Sequence, residues 1–377
     1  MGSGSRCAPA GRCRRRYCLY RGRSGRHLHD HPVVAGTRFR RRPVLYACGE
    51  NVRIAMHMHL NSQRGMTLIE LMISMTISLF LVLGAVTVYN QGRANYQATE
   101  GIARVQENMR FALTVMEPDI RLAGFWGQNN NTYNVDTTGV GVICDGNVVS
   151  NWALDVTMPL DALNNVDAGN AEDFTDDCST FGDGIIGNTD VLMVRHASGQ
   201  ERPLNAGTLQ VQSNRMRSVM FNDGNVPATF GGGTGTFDYV FNVWYIGQDS
   251  SNLDDVPSLR RLTMNGGQVV DEEVIAGVEN MQIQFGVDTL DVSGNPDGQI
   301  DRYVDPEDAI LPNATVMAVR IWMLLRTEYA ERGFVDGASY TPLDGNLGDI
   351  TPDDGFRRMQ ITKTIFVRNF NRDVGPL

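Results

Sequence analysis

The stretch Arg64-Gly65-Met66-Thr67-Leu68-Ile69-Glu70 opens directly onto an apolar run that ends at Val88, and its reading decides the fold. The 23 residues from Met66 to Val88 carry one charge, Glu70. At about 1.5 Å of rise per residue, a helix of that length reaches about 34 Å and crosses a hydrocarbon core of roughly 30 Å. The segment reads as a membrane helix. A cleaved secretory signal fits less well, because its apolar region runs about 7 to 15 residues and ends in a small-x-small site. Glu70 is the exception within the helix. A carboxylate at mid-membrane costs on the order of 2.5–3.5 kcal/mol and less near an end, so it is normally kept where it has a partner. A cut after Gly65 would give Met66 a new α-amine one helical turn from Glu70. The plainer alternative is an anchor that tolerates a Glu near the lipid surface.

Charge divides the chain at the same place. Residues 1–64 hold 14 Arg and two acids, Asp30 and Glu50, a net of +12, whereas the remainder holds 19 basic and 41 acidic residues, a net of −22. Five of the six His and four of the six Cys (Cys7, Cys13, Cys18, Cys48) fall in the first part, with no apolar periodicity to bury a core. An Arg-rich arm for nucleic acid or a Cys/His metal tract is the alternative there. The cysteines form no CxxC pair, and His27, His29 and His31 alternate rather than follow helical spacing. The first 55 residues read instead as an over-long start, with translation from Met56 or Met58. Arg64 beside the span then satisfies the positive-inside preference and puts the C-terminal side outside the cytoplasm.

A basic residue, Gly, Met-Thr-Leu-Ile-Glu-Leu and a long apolar run resemble the class III signal of type IV prepilins and pseudopilins, here on Arg64 through Leu71. The resemblance implies that a membrane-embedded prepilin peptidase cuts after Gly65, that Met66 is N-methylated, and that Glu70 pairs with the N-terminus of a neighbouring subunit. That family prefers Phe where this chain has Met66.

Past Val88 an apolar stripe returns at Ile102, Val105, Met109, Ala112, Leu113, Met116 and Ile120, spacings of three and four that mark one helix face. The membrane half (66–88) is therefore expected to continue as an amphipathic half (89–122). Gly84 and Gly92 are loosening points, and Pro118 with Gly124 and Gly127 is expected to end the helix. The stretch Arg110 to Trp126 is similar to the segment that joins helix to head in PilW-like minor pilins. From 128 to 183 the chain is rich in Asn, Asp, Gly and Thr and reads as a long loop region. Cys144 and Cys178 lie in it, and in an oxidising compartment two such residues read as a disulfide.

Six short β-type runs then alternate with turns, at 190–195, 237–246, 258–264, 278–287, 314–326 and 359–368, and most of them show period-two alternation of apolar with polar residues. The fold class is α+β: a long N-terminal helix laid on the core face of a mainly antiparallel β-sheet head spanning 123–377. Ala318–Thr327 and Thr362–Asn369 resemble the late strands of PilW-type heads.

Sites for chemistry are sparse. Ser293, Asn295, Asp297, Gly298 and Asp301 echo a calcium loop, but Ser stands at the first ligand position and Val304 where a bidentate Glu is required, so a polar hairpin from Val287 to Tyr303 is the better reading. His196 is the one histidine after Gly65, Asp173, Asp176 and Asp177 read as a solvated loop, and Gly231–Thr236 lacks the Lys and helix of a phosphate loop. No cofactor and no enzymatic activity are expected, and a net of −22 disfavours nucleic acid. The resemblance implies a minor pilin held in the inner membrane, head in the periplasm, and then built into a pilus, where larger minor pilins form a tip-initiating complex. Its partners would be the prepilin peptidase, other minor pilins, the major pilin and a tip adhesin. A type II secretion pseudopilin of the GspJ kind and an adhesive, ligand-binding head on a pilin anchor are the alternatives.

Overall fold

The computed structural model describes residues 65–129, 131–148, 151–166, 178–290 and 296–369. One helix, α1 (Leu68–Leu122), runs unbroken for 55 residues through both Gly84 and Gly92. Pro118 lies inside it rather than at its end. It sits in the last two turns, so its missing amide removes one bond near a terminus where the ladder is already running out. The stop comes at Ala123, whose N–H donates to the Ile120 carbonyl, and at Gly124, whose φ of +74° suits a residue without Cβ.

Fourteen strands are described. In chain order they are β1 (Val135–Asp136), β2 (Ile143–Cys144), β3 (Asn147–Val148), β4 (Leu160–Val166), β5 (Thr189–Ala197), β6 (Gln210–Ser213) and β7 (Ser218–Phe221). Then come β8 (Gly235–Gly247), β9 (Ser258–Asn265), β10 (Gln268–Ala276), β11 (Val278–Thr289), β12 (Arg302–Val304), β13 (Ala314–Arg326) and β14 (Arg358–Phe366). They form a ten-stranded sheet, ordered β1-β7-β6-β8-β9-β10-β2-β3 with β5 joining β4 to β8, and a four-stranded sheet, ordered β12-β11-β13-β14. Apart from the short parallel pairs β1–β7 and β2–β10, neighbours are antiparallel.

All six expected runs are strands, and the α+β architecture of one helix on a mainly β head holds. Two expectations about the head do not. The region 128–183 is not simply a loop, because β4 pairs with β5 along Leu160↔Val194 to Leu163↔Val191, with β1, β2 and β3 ahead of it. The larger sheet also has a core on both faces rather than one. Val105, Met109, Ala112, Leu113, Met116 and Ile120 of α1 pack on Leu192, Val194, Trp244 and Ile246, and the same cluster takes in Met281, Ile283, Ile321 and Met323 of the smaller sheet. On the other face Val191, Met193, Phe241, Val243 and Tyr245 are covered by Trp126, Val142, Ala153 and Val156. With both faces covered, all nine residues of β5 are buried.

Candidate functional site

The start of α1 is exposed and carries an acid in its first turn. Thr67 is its N-cap, and Thr67 and Glu70 close a capping box. The Thr67 amide and hydroxyl both donate to Glu70 Oε2 at 2.9 Å, while the Glu70 amide donates to Thr67 Oγ1 at 3.3 Å. Two orphan amides of the helix start are thereby satisfied, and the carboxylate is held against the positive end of the helix dipole. Met66 and Glu70 are both exposed, as is every residue from Met66 to Arg93.

The hydroxyls along the span do not interrupt its apolar surface. Ser74 donates to the Leu71 carbonyl at 2.9 Å, Thr76 to Ile73 at 2.8 Å, Ser78 to Ser74 at 2.7 Å and Thr87 to Leu83 at 2.9 Å. Each hydroxyl is satisfied within its own helix, the condition for keeping one in hydrocarbon. What remains outward is an unbroken apolar cylinder with an anion at one end.

The second half of α1 is bonded into the head. Asp119 is buried, and its Oδ1 accepts from His196 Nε2 and Asn242 Nδ2, each at 2.8 Å, while its Oδ2 accepts from Trp244 Nε1 at 2.8 Å. His196 Nδ1 lies 2.8 Å from the Ala197 carbonyl. The one histidine of this half of the chain is thus a strut between helix and sheet. Glu117, two residues earlier on the helix's outer side, pairs with Lys363 of β14 and with Arg121 at 2.5 Å, and the Lys363 hydrogen bond holds its carboxyl below the usual range.

The same pattern of side chains spent on structure recurs elsewhere. Arg195, buried in β5, donates to the Trp152 carbonyl at 2.9 Å and to the Met158 carbonyl at 2.5 Å, holding the covering segment onto the sheet. Asp190 receives the amides of Asn165 at 2.8 Å and Ile283 at 2.6 Å and so ties β4, β5 and β11 together. Burial, with further repulsion from Asp344 and Asp305, pushes its carboxyl up to about 7.

Cys144 and Cys178 are bonded, with Cα atoms 5.4 Å apart, and both sulfurs sit in the core on the covered face. Asp297 receives the Gln299 amide at 2.8 Å, and Asp301 receives the amide of Thr289 at 2.8 Å and its hydroxyl at 2.5 Å. Both carboxylates serve the β11–β12 hairpin. Among the described residues no three His, Cys, Asp or Glu side chains gather as a metal site. Asn295, Ser293, Asp173, Asp176, Asp177 and the Arg-rich segment 1–64 lie outside the described residues. Sequence reasoning missed Asp119, although a signal was present: an acid falls on the apolar stripe three residues after Met116 and beside Ile120.

Two family models match the chain. The prokaryotic N-terminal methylation motif covers residues 60–86, and the type IV pilus-assembly protein W model covers residues 243–369, from within β8 to just past β14. No curated protein matches. Among solved structures, a type IV-like pilin from Thermus thermophilus aligns with 71% of this chain and 98% of its own, at 11% identity and a TM-score of 0.29, a likeness too distant to carry a structural argument.

Proposed function

We propose that this chain, a minor pilin of type IV pilus assembly of the PilW kind, is cut after Gly65, N-methylated at Met66 and placed near the pilus tip as part of an initiating complex. The observation that supports this most is the division of labour within α1. Its first half is an exposed apolar cylinder with a methylation motif at its start, and its second half is the core helix of a large β head. A membrane-anchored pilin needs that division, since it must be held by lipid before assembly and by other pilins after it.

In this reading Glu70 is the residue that a neighbouring subunit meets. The Thr67 cap keeps its carboxylate at the helix start, where an incoming α-amine can compete for the same oxygens. At the low effective dielectric of a helix bundle that attraction is far stronger than in water, with desolvation offsetting part of it. The head stands in the periplasm before assembly, and the disulfide Cys144–Cys178 suits that compartment.

Mass analysis of the N-terminal peptide from native membranes and sheared pili tests the processing. A methylated peptide beginning at Met66 is expected, and assembled protein containing Cys13 or Arg38 would contradict it. Counting pili in a strain lacking the gene tests the initiating role: fewer pili of normal length are expected, and an unchanged number would overturn it.

A further inference from the structure

Between β13 and β14 the chain runs out as a long hairpin, Glu331 to Gly355, whose backbone bonds mainly to itself. The Glu331 amide donates to the Gly355 carbonyl at 2.7 Å, Asp336 to Asp354 at 2.6 Å, and Tyr340 and Ile350 exchange amides at 3.0 and 2.8 Å. At its base Arg358 pairs with Asp336 at 3.4 Å and with Asp354 at 2.6 Å. Its tip lies on the face of the smaller sheet turned away from α1, where Tyr340, Leu343 and Ile350 cover Trp322 and Leu324. Two side chains fasten the tip to strands. Asn165 of β4 donates from Nδ2 to Asp344, and Gln284 of β11 donates from Nε2 to the Leu343 carbonyl at 3.3 Å. Both fasteners also hold a second acid: the Asn165 amide donates to Asp190 at 2.8 Å, and Gln284 Nε2 to Asp305 at 2.9 Å. Three carboxylates therefore meet under the tip, and two of them, Asp190 and Asp344, are buried.

The basic side chains of the smaller sheet are engaged elsewhere. Arg320, across from Gln284, lies over the Tyr303 ring at 3.3 Å, Arg302 acts on Asp301, Arg326 and Arg358 pair with Glu279, and Lys363 with Glu117. β4 and β11 face Asp190 with the amides of Asn165 and Ile283, and the charges that act on it are those of Asp344 and Asp305. We infer that the hairpin tip is a proton-dependent clasp, closed over Trp322 and Leu324 while Asp190 is protonated and lifted from the sheet when Asp190 ionises. Burial and the two acid neighbours push Asp190 up to about 7, so the change falls near neutrality. Above that pH a third carboxylate charge enters a corner shut off from water, where repulsion is weakly screened. Asp190 lies within β5 and is held by two backbone amides, and Asp305 follows directly on β12. Asp344 rides on a hairpin with few buried side chains, so it is the carboxylate that moves at least cost. The Arg358 pairs keep the base shut, and Tyr340, donating to Asp336 and pushed up to about 12, stays protonated. Opening is thus confined to the tip. The clasp does not depend on the minor-pilin reading.

The test is hydroxyl-radical footprinting of the full chain in phospholipid vesicles at pH 5.5 and pH 8.5, read residue by residue by mass spectrometry and normalised to exposed Tyr329. Trp322 oxidation is expected to rise several-fold at the higher pH, while Trp126 and Trp244, fully buried elsewhere in the head, stay protected. No rise at Trp322, or an equal rise at Trp244, would overturn the inference, the second because it would mean general loosening of the head. Asp344→Asn takes the charge off the tip and leaves an oxygen for Asn165 on an element outside the main core. In this variant Trp322 should be oxidised to the same extent at both pH values. A rise as large as that of the wild type would show that repulsion at Asp344 does not lift the tip, and the clasp would fall.

Discussion

The two halves of α1 are one continuous helix in two solvents, and each half carries one acid on an apolar surface. Glu70, in the outer half, has its own cap residue as its one hydrogen-bond partner among the described residues and is exposed. Asp119, in the inner half, collects donors from residues 77, 123 and 125 positions away and is shut off from water. A buried carboxylate that already holds three donors from the head is out of reach of a newcomer and is structural. One whose only partner is a flexible threonine can exchange that partner for a neighbour's amine. The difference between the two carboxylates therefore lies in who supplies the donors, since the charged group is the same, and on the proposed reading only Glu70 is left for a neighbouring subunit.

The comparison breaks most easily at Asp119. Removing it strands the Trp244 and Asn242 donors and the His196 ring in the core, and each buried unsatisfied group costs about 1–3 kcal/mol. Asp119→Ala should destabilise the head by on the order of 5 kcal/mol in denaturant unfolding, with the helix end loosened in hydrogen exchange. A change below about 1 kcal/mol would mean the network is incidental.

Next in size is the bridge. Cys144 and Cys178 are separated by 34 residues, a closure worth roughly 4 kcal/mol in the chain-entropy model. A double Ser variant should unfold at correspondingly lower denaturant, and unfolded, unreduced wild-type head should label with no thiol reagent.

A smaller, pH-dependent effect belongs to Asp190. Its folded-state pKa of about 7 lies above the ordinary 3.8, so folding favours the protonated acid. Its contribution is complete below about pH 4 and is lost as pH rises through about 7, a change of about 4 kcal/mol. Glu117 and Asp354, whose carboxyls are lowered by Lys363 and Arg358, act in the opposite sense and lose their contribution as pH falls through the acid range. Comparing the slope of stability against pH between 4 and 7.5 for wild type and Asp190→Asn isolates the first effect. The variant should lack the decline, whatever its absolute stability.

What was legible in the sequence follows the same division. The span and Glu70 lie in one unbroken run, so their chemistry shows locally, whereas the capping role of Thr67 was found in the structure. The strands β8, β9, β11 and β14 show because apolar residues recur at alternate positions along much of their length, and β5 and β13 because they carry short continuous apolar runs. The strands β6 and β10 hide because their polar side chains find distant partners. Gln210 of β6 donates to Asp238 and to the Pro203 carbonyl, and Asp271 and Glu272 of β10 pair with Arg260 and Arg261 of β9. β4 hides behind Asn164 and Asn165, a polar pair in a region that reads as loop. Asp119 hides for the same reason as β6 and β10: its donors are contributed by strands far along the chain, and an acid at the end of an amphipathic helix looks solvated until those strands are in place.

The smallest effect on the fold should come from Glu70, and the largest on function. Glu70→Ala removes no contact to the head, so head stability should match wild type within about 0.5 kcal/mol. The direct measurement is the ratio of this subunit in sheared pili to that in membranes, for wild type and Glu70→Ala at matched expression. A variant that is inserted, cut after Gly65 and folded, yet poorly recovered in pili, is the predicted result. Equal recovery in pili would show Glu70 to be only a tolerated charge in an anchor and would contradict its role as the residue a neighbouring subunit meets.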